Sequence, residues 1–330
     1  MQCLPAGRTK LVWIGGDNAA AGTSRRKREI YYRPQWRHQR LHLPLVPHKS
    51  DGHKQLMQST PPQLFDYRRR RALRERAIAR TAGQSFLWTW LAEEIADRLA
   101  CTTRQFERTL ILGPLAANGD ILSEPKLGDV ICLPTAEEDQ LGQDTQSFDL
   151  IIAAGTLDSV NDLPGALVQI RRALKPDGLF LGALFGAGSL GALKRAMMIA
   201  DADSVRAHVH PQVELRSAAD LLARTGFNLQ VADRSGLDVR YGDWRSLVRD
   251  LRDAGIGNGL ASRAPFLGKH YLQRLDLAWA QLADSSGKVT ETFEVLHLSG
   301  WSPSASQAKP AARGSGQISL VKLLDKSGEL

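Results

Sequence analysis

Three short stretches of this chain carry residues whose types and spacing could do chemistry. The first is the loop Ala154, Gly155, Thr156, Leu157 and Asp158, which follows the apolar run 148–154. A loop at the carboxyl end of a buried strand is where open α/β sheets bind ligands. The second is the loop after the apolar run 109–113, with Gly113, Leu115, Asn118 and Gly119. The third is His208 and His210, two residues apart, which could join Asp158 around a metal such as iron. Nothing in that spacing demands a metal, and a lid loop packed over a pocket is the favoured reading, so no metal site is assigned. No Ser-His-Asp arrangement stands out, and Cys3, Cys101 and Cys132 form no Cys-x-x-Cys pair. That cysteine usage fits a reducing compartment without structural zinc.

The elements that must position these loops read as follows. Residues 148–154 are a short, nearly continuous apolar run, which suits a strand buried on both faces of a parallel sheet. Asp162 is an N-cap candidate, Pro164 lies in the first turn, and Leu167, Ile170 and Leu174 recur at helical spacing. Pro176-Asp177-Gly178 predicts a tight turn into a second apolar run, 179–185. The expected product is a right-handed βαβ crossover, and the local pattern by itself fits a purely structural unit equally well.

The net charge of +8 is unevenly placed. Residues 1–56 hold eleven Lys/Arg against three acids, which accounts for the whole surplus and leaves 57–330 neutral. The basic balance therefore describes a leading segment and not a nucleic-acid-binding fold. That segment lacks helical or strand periodicity and carries Pro34, Pro44 and Pro47, so a disordered tail, or a misassigned start ahead of Met57, is expected. No apolar run is long enough to cross a bilayer. Arg68 to Arg71, Arg74, Arg76 and Arg80 make a basic helix that could dock an acidic protein or lipid headgroups. A solvated helix face is the favoured reading of that charge run. Phe86, Trp90, Leu91, Ile95 and Leu99 then form an apolar stripe on a second helix.

Phe148-Asp149-Leu150, Val160-Asn161-Asp162-Leu163-Pro164 and Leu174-Lys175-Pro176-Asp177-Gly178 together resemble the motifs of class I S-adenosylmethionine-dependent methyltransferases. Within that superfamily they are most similar to the family of complex I assembly factor 5, an arginine hydroxylase acting on a subunit of NADH dehydrogenase, and its bacterial relatives. The later segments Asp250-Leu251-Arg252-Asp253, Glu291 to Trp301 and Gln307 to Pro310 extend the likeness, with Arg263, over about 61–323. The resemblance implies a doubly wound, mostly parallel α/β sheet, seven-stranded or shortened, with helices on both faces. It also implies S-adenosyl-L-methionine as cofactor, held by Gly113, Leu115, Asn118, Gly119, Glu137, Ala154, Gly155 and Leu157. Catalytic residues are unassigned, because Asp158 and Ser159 stand where the assembly factor has His-Trp.

The chain departs from that pattern at the cofactor loop. Leu115 and Ala117 occupy two positions where the superfamily has glycine, and Ile111 stands where an acid is usual. A Cβ at positive φ there would cost on the order of 1 kcal/mol, and Leu115 would crowd the ligand. Between Gly113 and Phe148 there is too little chain for all the usual elements. Residues 130–133 read as one strand, followed by Pro134 where a ribose-binding acid would stand. Glu137 or Glu138 falls near the family's adenine-binding acids, and an exposed loop carboxylate fits as well.

The division expected is a tail over 1–56, N-terminal helices over 57–105, a methyltransferase-like domain over 106–302 with a lid insertion around 187–216, and an extension over 303–330. Residues 291–298 are the expected last strand, antiparallel in the sheet interior. The resemblance implies a methyltransferase or arginine hydroxylase linked to respiratory complex I, with a protein subunit as partner. A non-catalytic binding protein on the same fold is the alternative, and a malonyl-carrier-protein methyltransferase of biotin synthesis the third. Nucleic acid is not an expected partner. A cytoplasmic location, with peripheral membrane contact allowed, completes the expectation.

Overall fold

The computed structural model describes residues 30–33, 63–136, 138–202, 206–262 and 267–307. Seven strands form one sheet: β1 (Ile30–Arg33), β2 (Arg108–Leu112), β3 (Asp129–Leu133), β4 (Phe148–Ala154), β5 (Leu174–Phe185), β6 (Asn228–Tyr241) and β7 (Val289–Trp301). Their order across the sheet is β1-β6-β7-β5-β4-β2-β3. β3, β2, β4 and β5 are mutually parallel, β7 runs antiparallel between β5 and β6, and β1 runs antiparallel to β6. Thr109 pairs with Leu150 and Leu112 with Ala153, so β2 and β4 are the parallel neighbours that the apolar runs predict. β7 is the antiparallel interior strand expected from residues 291–298.

Helices cover both faces because each strand alternates its side chains. Leu110, Leu112, Ile151 and Ala153 face α4 (Leu163–Ala173) and α6 (Leu215–Arg224). Ile111, Leu150 and Ile152 face the opposite layer. That layer contains α2 (Phe86–Ala100), α5 (Gly191–Asp201), α7 (Trp244–Asp253) and α8 (Lys269–Gln281). Every residue of β4 is buried, as its unbroken apolar run requires. α1 (Tyr67–Thr81) crosses the carboxyl edge of the sheet, and α3 (Gly119–Leu122) is a single turn.

Three details differ from the sequence reading. One strand, β3, lies between Gly113 and Phe148, as residues 130–133 predict, yet the sheet still has seven strands, because β1 adds one at the opposite edge. The expectation of no regular structure in residues 1–56 therefore fails for these four residues, which pair Ile30 with Val239 and Arg33 with Gly236; the rest of that segment lies outside the described residues. Second, Pro176-Asp177-Gly178 does not end one element and begin another. The pairing of β4 with β5 jumps from Phe148–Leu174 to Leu150–Leu179, so the Pro-Asp-Gly segment is a bulge inside β5, with Asp177 at φ 63°. Third, the sequence after α6 reads as a strand over 229–231 and a separate run over 237–241, but Asn228–Tyr241 form one strand, β6, with a register shift against β7 between Asn228 and Val231.

His297 sits in the middle of β7, 4% exposed, with Nε2 2.8 Å from Ser235 Oγ and 3.5 Å from Glu94 Oε2. Burial, and then the positive charge of Arg98, push its pKa well below 6.5. Glu94 is already committed to Arg98 at 3.0 Å, so it does not hold an imidazolium in place. A histidine kept neutral in the folded state and free to charge in the unfolded one makes the unfolded chain bind more protons below its unfolded pKa. Stability then falls as pH drops below about 6.5. Thermal melts should show a Tm that declines between about pH 7 and pH 5, and His297→Gln should flatten that decline. An equal decline in the variant would refute the assignment.

Candidate functional site

Gly113, at the end of β2, has φ 85°, and a Cβ there would lie 2.6 Å from Thr156 Cβ and 2.7 Å from the Ala154 carbonyl oxygen. The glycine therefore lets the two strand-end loops touch one another. The following residues form a 3-10 turn, Pro114–Ala117, and Leu115 takes no positive φ. The strain expected there is absent because the turn has a different shape. Leu115 is instead fully buried in the core beside α2. Asn118 is also fully buried. Its Oδ1 accepts from the Asp120 and Ile121 amides at 3.0 and 3.3 Å, and its Nδ2 donates to the Gly83 carbonyl at 3.2 Å. Gly119 is exposed at the start of α3.

On the facing loop, Ala154 and Leu157 are buried. Gly155 has φ 63°, and a Cβ there would be 2.1 Å from the indole of Trp88. That indole is anchored from the far side, since its Nε1 donates to the Ala254 carbonyl at 3.0 Å. Glu137 lies outside the described residues, but Glu138 is fully buried.

Glu138 receives two arginines from α1. Arg70 Nη2 lies 2.5 Å from Glu138 Oε2, and Arg74 Nη1 lies 3.1 Å from Oε1. Both guanidinium groups also donate to Thr156 Oγ1, at 2.9 and 2.6 Å, and Arg70 reaches the Thr156 carbonyl at 2.8 Å and Ser159 Oγ at 2.9 Å. Burial, and then the neighbouring Arg70, lower the pKa of Arg74 to about 10, with Glu138 and Asp158 opposing that fall. Two buried cations against Glu138 alone would be costly, and the Thr156 hydroxyl and carbonyl, with the charge of Asp158 nearby, supply the further acceptors and counter-charge they need.

The motif residues hold α1 in this place. Asn161 accepts from the Phe65 amide at 2.8 Å through Oδ1 and donates to the Phe65 carbonyl at 3.0 Å through Nδ2. That pair of bonds fixes the chain one residue before Asp66, the N-cap of α1. Asp162 caps α4 by accepting from the Gly165 amide at 2.8 Å. Asp149 accepts from the Arg108 amide at 3.0 Å and from Lys175 Nζ at 3.1 Å, joining the starts of β2 and β5 to β4.

Beside these loops lies a cavity of 630 Å³. Phe185, Leu193, Met197, Leu251, Ile256 and Phe293 supply its apolar lining, and Asp158, His208 and His210 reach it as well. His208 Nε2 sits 2.9 and 3.0 Å from the two Asp201 carboxylate oxygens and 3.2 Å from Tyr271 Oη. Burial, and then the Asp201 charge, push Tyr271 up to about 12. His210 stands edge-on to Phe65 at 5.5 Å, and Asn258 Nδ2 donates to the carbonyls of Ala207 and His208 at 3.0 and 2.9 Å. The histidine loop is thus pinned as one wall of the cavity. Among the described residues no three His, Cys, Asp or Glu side chains gather as a metal would require.

Among the described residues, the seven assigned to the cofactor besides Glu137 do not line this cavity. Gly113, Leu115, Asn118, Ala154, Gly155 and Leu157 come together at the ends of β2 and β4, but all six are buried. Residues that hold a nucleotide line a cleft. Here the indole of Trp88 lies against Gly155, Leu115 belongs to the core, and Arg70 and Arg74 occupy the polar positions at Thr156 and Glu138. With α1 and α2 so placed, these residues do not fit S-adenosylmethionine. The sequence reading placed Arg70 and Arg74 on a solvated helix face and gave Glu138 as one of two acids for the adenine or an exposed loop; the structure corrects both, burying the three together as an ion cluster. Arg70, Arg74 and Ala77 are buried on one helical face at i, i+4 and i+7, and that spacing was the available signal. The bulk of the arginines around them hid it.

Glu138→Gln keeps the shape but removes the carboxylate that both buried guanidinium groups touch. The expected loss is about 3–5 kcal/mol in urea unfolding. Amide exchange should quicken in α1 more than in β4, and unchanged protection of α1 would contradict the role given to this network.

Residues 89–231 match the family described as Methyltransferase domain. The arginine-hydroxylase NDUFAF5, mitochondrial, of Danio rerio is 30% identical over 254 residues, covering 75% of this chain and 74% of that protein. Its Homo sapiens counterpart is 32% identical over 192 residues, covering 57% of this chain and 56% of the human protein, so that match spans little more than half the relative's length. A malonyl-[acyl-carrier protein] O-methyltransferase of Xylella fastidiosa (strain M23) is 31% identical over 179 residues, covering 54% of this chain and 57% of the other. Among described residues no helix is long and apolar enough to cross a membrane. The sheet with its antiparallel β7, the clamped motif residues and the length of the NDUFAF5 match lead to one conclusion: this chain belongs to the methyltransferase-domain family that includes the arginine-hydroxylase NDUFAF5.

Proposed function

We propose that this chain serves the assembly of respiratory complex I by receiving a protein subunit in the 630 Å³ cavity at the carboxyl edge of the sheet. The observation that carries this reading is the contrast between two neighbouring regions. The acceptor side of the fold keeps an open cavity, whereas the cofactor side is filled by Trp88, Leu115, Arg70 and Arg74. A protein that holds its partner needs the first region and not the second. The longest match among the named relatives, to an arginine hydroxylase, favours a subunit of the respiratory complex over a malonyl carrier protein as that partner.

The second reading is modification of that subunit, by methyl transfer or arginine hydroxylation, and family membership supports it. It requires S-adenosylmethionine or another cofactor to displace α1 from Thr156 and Glu138. No catalytic step is assigned to this chain's residues. Any membrane contact would be peripheral, through exposed arginines of α1, and the compartment follows that of the complex.

Calorimetric titration with S-adenosylmethionine separates the readings. The first expects no binding at millimolar concentration, together with recovery of a complex I subunit by cross-linking to the intact chain and unchanged mass of that subunit. Micromolar cofactor binding with a mass increase on the subunit would overturn it in favour of modification. Failure to recover any complex I subunit would overturn both.

A further inference from the structure

The 630 Å³ cavity continues outward into a second hollow of 470 Å³, and the two share Leu73, Arg76, Arg252 and Gly257 in their walls. Along this continuous groove the charged residues at the outer end are Arg76, Arg80 and Arg252, with Arg69 at the inner cavity. Asp158 is the carboxylate among the lining residues; it is 7% exposed and its charge faces Arg74. Arg80 pairs with Asp253 at 3.3 Å and donates to the Arg252 carbonyl at 3.1 Å, which braces α1 against α7. Arg76 Nε donates to its own helix at the Ala72 carbonyl, and its side chain is exposed, as is that of Arg252. The groove is basic at its mouth and apolar at its depth.

We propose that this groove docks an acidic peptide segment of the protein partner, with carboxylates on Arg76 and Arg252 and an apolar side chain seated against Leu193, Met197 and Ile256. The inference rests on the protein-partner reading above and names the chemistry of that partner. Charge complementarity carries it: four arginines line a concave path that ends in an apolar cavity large enough for side chains. A bilayer would meet the rim but leave the cavity empty. Single-stranded nucleic acid binds by stacking bases on exposed aromatic faces, and the aromatic lining residues Phe185 and Phe293 are 4% and 1% exposed. Residues 1–56 of this chain are net positive and would be repelled by the same arginines.

The test uses the full chain and a fluorescein-labelled decapeptide of glutamates with two leucines, read by anisotropy. Its partners in the comparison are the lysine-for-glutamate peptide and vesicles of phosphatidylcholine with phosphatidylserine. The expected result is saturable binding of the acidic peptide, none of the basic one, and weakening as salt rises. Arg76→Glu with Arg252→Glu should weaken it at least about tenfold without changing the melting temperature. Met197→Trp, which fills the cavity and leaves the rim intact, should weaken it too. Loss of binding by the double variant with no effect of Met197→Trp would overturn the seated side chain. Equal or tighter binding to the vesicles, or no peptide binding, would overturn the groove. Cross-linking of the complex I subunit by the double variant as efficiently as by the unaltered chain would sink this inference while leaving the protein-partner function standing.

Discussion

The arrangement of this molecule depends on keeping two guanidinium groups charged inside the protein. Arg70 and Arg74 leave water together, and one carboxylate, Glu138, with the hydroxyl and carbonyl of Thr156, must replace that water. A buried arginine without such partners would cost more than the burial of its helix returns. The position of α1, the closure of the cofactor side and the shape of the groove beside it all follow from where these groups find their acceptors.

This constraint also gives the family motifs a local physical meaning. Asn161 bonds both backbone groups of Phe65 and so fixes the entry to α1. Asp149 ties the starts of three strands through the Arg108 amide and Lys175. These residues shape the edge of the sheet without touching reacting atoms. A fold can therefore keep the motifs of methyl-transfer enzymes while its cofactor loop drifts, because the two sets of residues answer to different demands: one to strand and helix placement, the other to a ligand.

The cofactor loop shows how that drift is accommodated. Replacement of glycine by Leu115 does not strain the backbone, since the loop becomes a 3-10 turn and the leucine joins the core with Trp88 and Ile111. Gly113 and Gly155 persist for a different reason. At each, the space a Cβ would take is already filled by protein: the Thr156 side chain and Ala154 carbonyl at one, the Trp88 indole at the other. Glycine at these sites serves close packing between elements, which is the same steric requirement that a bound nucleotide would impose.

Much of the architecture was legible from local pattern. The apolar run at 148–154 specified a doubly buried strand, Asp162 with Pro164 specified a helix start, and the short span between Gly113 and Phe148 left room for one strand, since each depends on residues near one another in the chain. The meaning of the α1 arginines was not legible, because a run of arginines reads alike whether it meets solvent or a carboxylate some sixty residues away. Likewise Pro176-Asp177-Gly178 reads as a turn, and only its pairing with β4 makes it a bulge. Local pattern and motif spacing were enough for the centre of the sheet, its covering helices and the family, though not for β1. Tertiary structure decided which charges are buried and which cavity stays open, because those outcomes depend on partners brought together only when the chain has folded.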